Sequence, residues 1–383
     1  MVSDHQSSDR LKHAIGAAEG ATLLDTSLGL QEAARTWRSC QVVGLDTEFV
    51  RERTYRADLG LVQISDGRTA WLVDPVAIDD LTPLSEFLAN DSIEKVIHSG
   101  SEDFEVMYHK LGTVAQNVVD SQIACAMLGQ SLQLGYHHAA RWLFDVEIEK
   151  DHTRSNWLRR PLSSGQLRYA ALDVVLLPMM IEVLRGKLEA LGRWDWLVEE
   201  VNRMEKKSIE DTDPGEAWMR ISGAGALDDI ERRILCSLAS WRERTAVERN
   251  IARGFVIADA ALMAMARVQP KDLSQLREIE GIHSKVVERH AETWLRLIRG
   301  ADASPPVAPL PQLTQQQRKC LKSLRKEVAD VAHSLNVDAA LLASRKQLES
   351  LIFAFQQSGD VPDRFRGWRF EVITERLVKI LQA

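Results

Sequence analysis

Residues 42–49 read Val42-Val43-Gly44-Leu45-Asp46-Thr47-Glu48-Phe49, and the rest of the chain is arranged about them. An apolar, β-branched run ends in two carboxylates two positions apart, which is the pattern of a strand running into a site. Side chains alternate along a strand, so Asp46 and Glu48 point to one face and Thr47 to the other. Two like charges that close repel, and a site that keeps both ionised holds a cation or a basic partner between them. An acidic strand end passing into a loop would carry the same residues, so the pair needs support from elsewhere.

That support comes in two places. His98-Ser99-Gly100-Ser101-Glu102-Asp103 follows the short apolar run Val96-Ile97, as a strand hands over to a helix, and supplies Asp103 in the first helical turn. A helix dipole alone would favour an acid there. Tyr169-Ala170-Ala171-Leu172-Asp173 lies in a helical pattern predicted from Ser164 to about Leu191, and its Tyr and Asp, four apart, share one helical face.

In this order the three segments resemble the exonuclease motifs of the DEDD superfamily, tyrosine subgroup. Neighbouring words narrow the resemblance: Leu45-Asp46-Thr47-Glu48-Phe49, His98-Ser99-Gly100-Ser101-Glu102-Asp103, Arg154-Ser155-Asn156-Trp157, Arg160-Pro161-Leu162, and Gln166-Leu167-Arg168-Tyr169-Ala170-Ala171-Leu172-Asp173. As a set they resemble the ribonuclease D family over nearly the whole chain. The resemblance implies an α/β ribonuclease-H-like exonuclease domain, a mixed sheet flanked by helices, followed by two all-α HRDC-type bundles. Two departures from the family's usual words, Asn156 where an Asp often stands and the run His137-His138-Ala139-Ala140-Arg141, bear on substrate preference.

Composition sets the bounds. The 383 residues are 45% hydrophobic and 27% charged, enough for two or three domains with cores of their own. Cys40, Cys125, Cys236 and Cys320 are scattered, with no paired spacing, which argues against a zinc site or a disulfide framework and fits a reducing cytoplasm. The N-terminus is polar, and the most apolar stretch, residues 169–184, is broken by Asp173, Pro178 and Glu182, so neither a secretory signal nor a membrane span is expected. A net charge of -7 is unusual for a nucleic-acid binder. Bound cations would offset part of it, and the basic residues cluster: Arg51, Arg53 and Arg56 after the first motif, Arg154, Arg159, Arg160 and Arg168 before the third.

Along the chain, residues 1–20 are expected to be a flexible N-terminus and 21–206 the exonuclease domain. Strands are predicted at 22–24, 42–49, 59–65, 69–73 and 95–98, and a helix opening at Val118-Val119-Asp120, with Asp120 as an N-cap. His137 and His138 fall in a helical pattern; adjacent residues on a helix face different ways, so they are expected to be structural or solvent-facing. Beyond residue 206 only helical patterns remain. Residues 215–300 resemble an HRDC domain, with Asp259 read as an N-cap, and 301–312, rich in proline, a linker. Residues 313–383 form a second HRDC-like bundle in which Asp338-Ala339-Ala340-Leu341 echoes Asp259-Ala260-Ala261-Leu262.

The family resemblance also implies the chemistry: 3′-5′ exoribonuclease action on RNA with a free 3′ end, such as tRNA precursors, releasing nucleoside monophosphates. Hydrolysis would use two divalent metal ions, Mg²⁺ or Mn²⁺, about 3.5–4 Å apart, and oxygen-only ligands select such hard cations. Asp46, Glu48, Asp103 and Asp173 are the implied ligands, with Asp46 bridging, and Tyr169 orients the attacking water. Phe49 and Tyr55 are candidate base-stacking residues beside Arg51, Arg53 and Arg56. Arg232, Arg233, Arg242, Arg244 and Arg249, and Arg318, Lys319, Lys322, Arg325 and Lys326, are candidate RNA contacts on the bundles. No membrane partner is expected, and the chain is expected to be a monomer. A DNA-preferring exonuclease and a non-catalytic RNA-binding scaffold are the alternative readings.

Overall fold

The structure, a computed structural model, describes residues 4–148 and 155–382; Arg154 lies outside them. The chain forms two compact units. One comprises Met1–Val50, Asp58–Ile209 and Leu313–Ala383, the other Arg51–Ala57 and Glu210–Gln312.

The first unit is built on a six-stranded mixed sheet of order β1-β4-β3-β2-β5-β6. The strands are β1 (Thr22–Leu24), β2 (Val42–Val50), β3 (Asp58–Ser65), β4 (Ala70–Val73), β5 (Glu94–Ile97) and β6 (Val118–Asp120). β2 is central, antiparallel to β3 and parallel to β5. β3 and β4 form a hairpin whose turn needs a positive φ at Gly67, and the Asp66 carboxylate accepts the Arg68 and Thr69 amides to close it. The sheet is covered by α1 (Asp4–Glu19), α2 (Ser27–Trp37), α3 (Thr82–Ala89), α4 (Ser101–Leu111), α5 (Ser121–Met127), α6 (Tyr136–Phe144), α7 (Ser164–Val175), α8 (Leu177–Ala190) and α9 (Trp194–Ile209).

Three sequence expectations need correction. Residues 4–19 are a helix, not a flexible segment: Leu11, Ala14, Ile15 and Ala18 recur at helical spacing, Ala14 and Ala18 are buried, and Glu19 pairs with Arg168 on α7. Polar residues between these small apolar ones hid the stripe. Residues 118–120 are an edge strand rather than a helix start, although Asp120 does cap α5, accepting the Gln122 and Ile123 amides. The long helix predicted from Ser164 breaks at Leu176 into α7 and α8, because Pro178 offers no amide to continue the ladder.

The second unit holds α10 (Asp229–Arg249), α11 (Arg253–Val256), α12 (Asp259–Val268), α13 (Leu273–Arg277) and α14 (Ser284–Gly300) around Trp218, Leu238, Leu262 and Trp294. Residues 301–312 are not a free linker. Val307 and Leu310 pack on this core, and Arg232 donates to the Val307 carbonyl. Asp259 is the first helical residue rather than the cap, and its carboxylate receives Arg242 at 2.5 Å.

The C-terminal helices α15 (Gln315–Leu335), α16 (Ala339–Leu342), α17 (Arg345–Ser358) and α18 (Glu375–Gln382) belong to the first unit. They are fastened to α9. Trp368 stacks on Trp196 with ring centroids 4.7 Å apart, and the buried Glu200 carboxylate accepts from Arg369, Arg364 and the Trp368 indole. Burial pushes the Glu200 carboxyl up, but these partners outweigh it and hold it below its ordinary value. Arg193 adds a further tie, donating to the Met127 and Leu335 carbonyls.

Candidate active site

The site forms where α7 crosses β2. Gly44 makes that crossing possible: a Cβ there would collide with the Val174 carbonyl and stand 3.0 Å from the Leu177 Cβ. With no side chain in the way, α7 lies against the strand and Asp173 comes down beside the two strand carboxylates. Asp46, Glu48 and Asp173 each offer an oxygen, and these atoms all lie within 4.8 Å of one another. A bulge between Glu48 and Phe49 shifts the register with β3 just past the pair.

Asp103 is set differently. It sits in the first turn of α4, buried, and its carboxylate accepts the Thr47 hydroxyl rather than joining the tight group of three. Thr47 points to the opposite face of β2 from its neighbours, as alternation requires. The turn carrying Asp103 is pinned from β6, where the Asp120 carboxylate accepts the Gly100 amide at 3.0 Å. Asp120 thus positions the acid motif as well as capping its own helix.

Burial is the main influence on the acids, with mutual repulsion added. Asp46 is pushed well above the ordinary carboxylate range by desolvation, then by Asp103, Asp173 and Glu48. Desolvation, then Asp173 and Asp103, raise Glu48 to about 8, and desolvation raises Asp173 to about 7 and Asp103 to about 6. Such a cluster holds protons that a cation must displace. Its donors are all carboxylate oxygens, the set that suits a hard divalent cation such as Mg²⁺ or Mn²⁺ and not a thiolate-seeking one, so these residues fit a divalent metal. Tyr169 hydrogen-bonds to Asp173, and burial and the surrounding acids push its phenol above the ordinary value, so it stays protonated and donates.

A cavity of ≈170 Å³ opens onto this cluster, lined by Asp46, His98, Tyr136, His137, Tyr169, Asp173 and Leu177. Sequence reasoning did not place His98, Tyr136 or His137 here. Tyr136 is buried, donating to the Leu172 carbonyl and accepting the Leu176 amide, which locks α6 to the end of α7. His138 faces solvent as expected, while His137 lines the cavity, its ring 5.8 Å from that of Tyr136. The signal available was only that the His pair opens a helix shortly before the third motif.

The residues expected to hold nucleic acid divide. Phe49 is half-buried at the end of β2, and Arg53 is exposed. Tyr55 is not a stacking platform: its hydroxyl donates to Glu243 at 2.5 Å, and Arg253 lies over its ring at 4.6 Å. Arg56 has its amide on Asn250 and its guanidinium 3.7 Å from Asp211. Arg51 is exposed on the same loop. Arg160 is structural, gripping Asp74 with two nitrogens and the Gly60 carbonyl with a third contact. Gly60 admits Trp157, whose carbonyl would be 2.7 Å from a Cβ there, and Trp157 backs Tyr169 at 6.2 Å.

The basic residues of the helical bundles divide too. Arg232, Arg233 and Arg242 are consumed inside the second unit by backbone carbonyls and by Asp229 and Asp259, so they are not RNA contacts. Arg244, Arg249 and, on α15, Arg318, Lys319, Lys322, Arg325 and Lys326 are exposed. No helix among the described residues is long and apolar enough to cross a membrane.

Residues 22–189 match the family model described as 3'-5' exonuclease, residues 231–298 the HRDC domain, and residues 316–377 the model described as Ribonuclease D, C-terminal HRDC domain. The chain is 34% identical to ribonuclease D of Escherichia coli over 94% of its own length and 98% of that protein's. It is 34% identical to ribonuclease D of Pseudomonas paraeruginosa, covering 94% and 96%. The crystal structure of the Escherichia coli enzyme, described as an exoribonuclease involved in structured RNA processing, superposes with a TM-score of 0.88 at 33% identity, covering 94% of this chain and 98% of that one.

Proposed function

The chain belongs to the ribonuclease D family, and on that premise we propose that it shortens RNA from the 3′ end, hydrolysing one phosphodiester at a time at the Asp46, Glu48, Asp173 cluster and releasing nucleoside monophosphates. It is a 3′-5′ exoribonuclease. The gathering of three carboxylate oxygens within 4.8 Å of one another beside a protonated tyrosine carries the assignment of the reaction to this cluster.

Hydrolysis places extra negative charge on phosphorus as water attacks in line with the leaving 3′ oxygen. Asp46, Glu48 and Asp173, with Asp103 beside them, would hold a pair of Mg²⁺ or Mn²⁺ ions, which supply charge neutralisation and a lowered pKa for the attacking water. Asp46, which lies under the influence of the other three acids, would be one of the ligands. Tyr169 donates its one hydroxyl hydrogen to Asp173, and its phenol oxygen would accept from the attacking water, fixing the water's direction rather than taking its proton, since the phenol is held neutral. Tyr136 and Leu177 line the cavity beside these groups.

Phe49, Arg51 and Arg53 are the proposed contacts to the 3′-terminal nucleotides, and structured RNAs such as tRNA precursors the proposed substrates. The test is digestion of matched RNA and DNA oligonucleotides, 3′-hydroxyl or 3′-blocked, with Mn²⁺ or with EDTA. Mononucleotide release from unblocked RNA, abolished by EDTA, is the expected result. Internal cleavage, faster digestion of DNA, or undiminished release in EDTA would overturn the reading.

A further inference from the structure

We propose that Gln63 is a positioning residue for Asp46: its side-chain amide fixes the direction in which that carboxylate faces when a divalent cation is held. This rests on the metal-dependent reading of the cluster. Gln63 lies in the middle of β3, fully buried between Val62 and Ile64, and among the described residues neither its amide nitrogen nor its amide oxygen has a hydrogen-bond partner. A buried amide without a partner loses its hydration for nothing, and an apolar residue of the same shape would serve the fold better. An orphan of this kind in the centre of a sheet calls for a reason.

The register supplies one. Residues directly opposite on antiparallel strands project to the same face, with Cβ atoms about 4.5–5.5 Å apart. Gln63 is opposite Asp46 on β2 and opposite Leu72 on β4. Along its own strand on that face stand Leu61, apolar, and Ser65, whose hydroxyl is already committed to the Thr69 carbonyl and the Gly67 amide. The buried residues of α7, the helix packed over β3, are Ala170, Ala171, Leu172, Val174 and Val175. Of the two residues in register with Gln63, Asp46 and Leu72, Asp46 is therefore the one with a hydrogen-bonding side chain.

An amide suits the task because it is neutral. A lysine or arginine there would neutralise Asp46 and compete with the cation, and another acid would add repulsion to a crowded cluster. The amide N–H₂ donates to the carboxylate without changing its charge, as groups behind metal ligands commonly do.

The variants Gln63→Met, nearly isosteric, and Gln63→Leu test this through Mn²⁺ binding measured by calorimetry on the full-length protein, with thermal melting of the metal-free protein alongside. The expected result is a metal-free melting temperature equal to or above that of the wild type, with a Kd for Mn²⁺ raised about tenfold or more. At saturating Mn²⁺, kcat falls and KM for RNA stays the same. Unchanged Mn²⁺ affinity in a folded variant overturns the proposal whatever the melting temperature does, and leaves the metal reading intact. Wild-type protein that fails to bind Mn²⁺ overturns both.

Discussion

The Tyr169 hydroxyl donates to the Asp173 carboxylate one helical turn further along α7, so the two residues act from a single rigid element. Removing the hydroxyl leaves the ring against Trp157 and the acid in place. Tyr169→Phe is expected to lower kcat about 10²-fold, as the misplacement of a reacting water does, with little change in RNA affinity. Single-turnover rates at several RNA concentrations check this; weaker binding with an unchanged rate would remove Tyr169 from the reaction.

Asp46 is held against desolvation and three acidic neighbours. Asp46→Ala is expected to reduce turnover by at least about 10²–10³-fold, while the metal-free protein melts no lower than the wild type, because one source of repulsion is gone. Circular dichroism melts and RNA digestion measure the two effects separately. A mutant that degrades RNA at the wild-type rate contradicts the assignment.

Gly44 has no catalytic atom, yet the placement of Asp173 depends on it. A side chain there must push back the Val174 carbonyl, and a misplacement of about 1 Å in such a site costs about 10² in rate. Gly44→Val is expected to lose that much activity and about 1–3 kcal/mol of stability, as overpacking does. Denaturant titration and initial rates provide the check.

Arg369 is fully buried against Glu200. Arg369→Met removes the fully buried partner of that carboxylate, leaving Arg364 and the Trp368 indole, and is expected to cost about 3 kcal/mol near neutral pH, the low end for a broken buried pair. The folded Glu200 carboxyl titrates below its ordinary value, so its contribution is present above about pH 4.5 and lost as pH falls through the folded value. The difference between mutant and wild type should therefore shrink in acid, which melts at pH 7 and pH 4 would register.

The strand pair Asp46 and Glu48 was legible because alternation along β2 is a short-range rule, and Asp173 because helical spacing tied it to Tyr169. The crossing that joins them was not: it depends on Gly44 meeting Val174, a contact across 130 residues that no local pattern announces. β6 was misread because two apolar residues before an N-cap look like a helix entry. Tyr55 was misread for a related reason. An aromatic among arginines resembles a stacking platform until Glu243 and Arg253, far along the chain, occupy both its hydroxyl and its ring. Contacts between segments far apart in the chain decided the crossing at Gly44 and the fate of Tyr55.

The loop 51–57 leaves the end of β2, seats Tyr55 among helices of the second unit, and returns as β3. The nuclease portion is consequently not severable at its apparent end. A fragment stopping near residue 206 would strip the cover from Tyr55 within a few residues of Glu48, and would also uncover Glu200 and Trp196 by removing Arg369 and Trp368. An excised fragment would thus carry two raw surfaces and would be a poor stand-in for the longer enzyme.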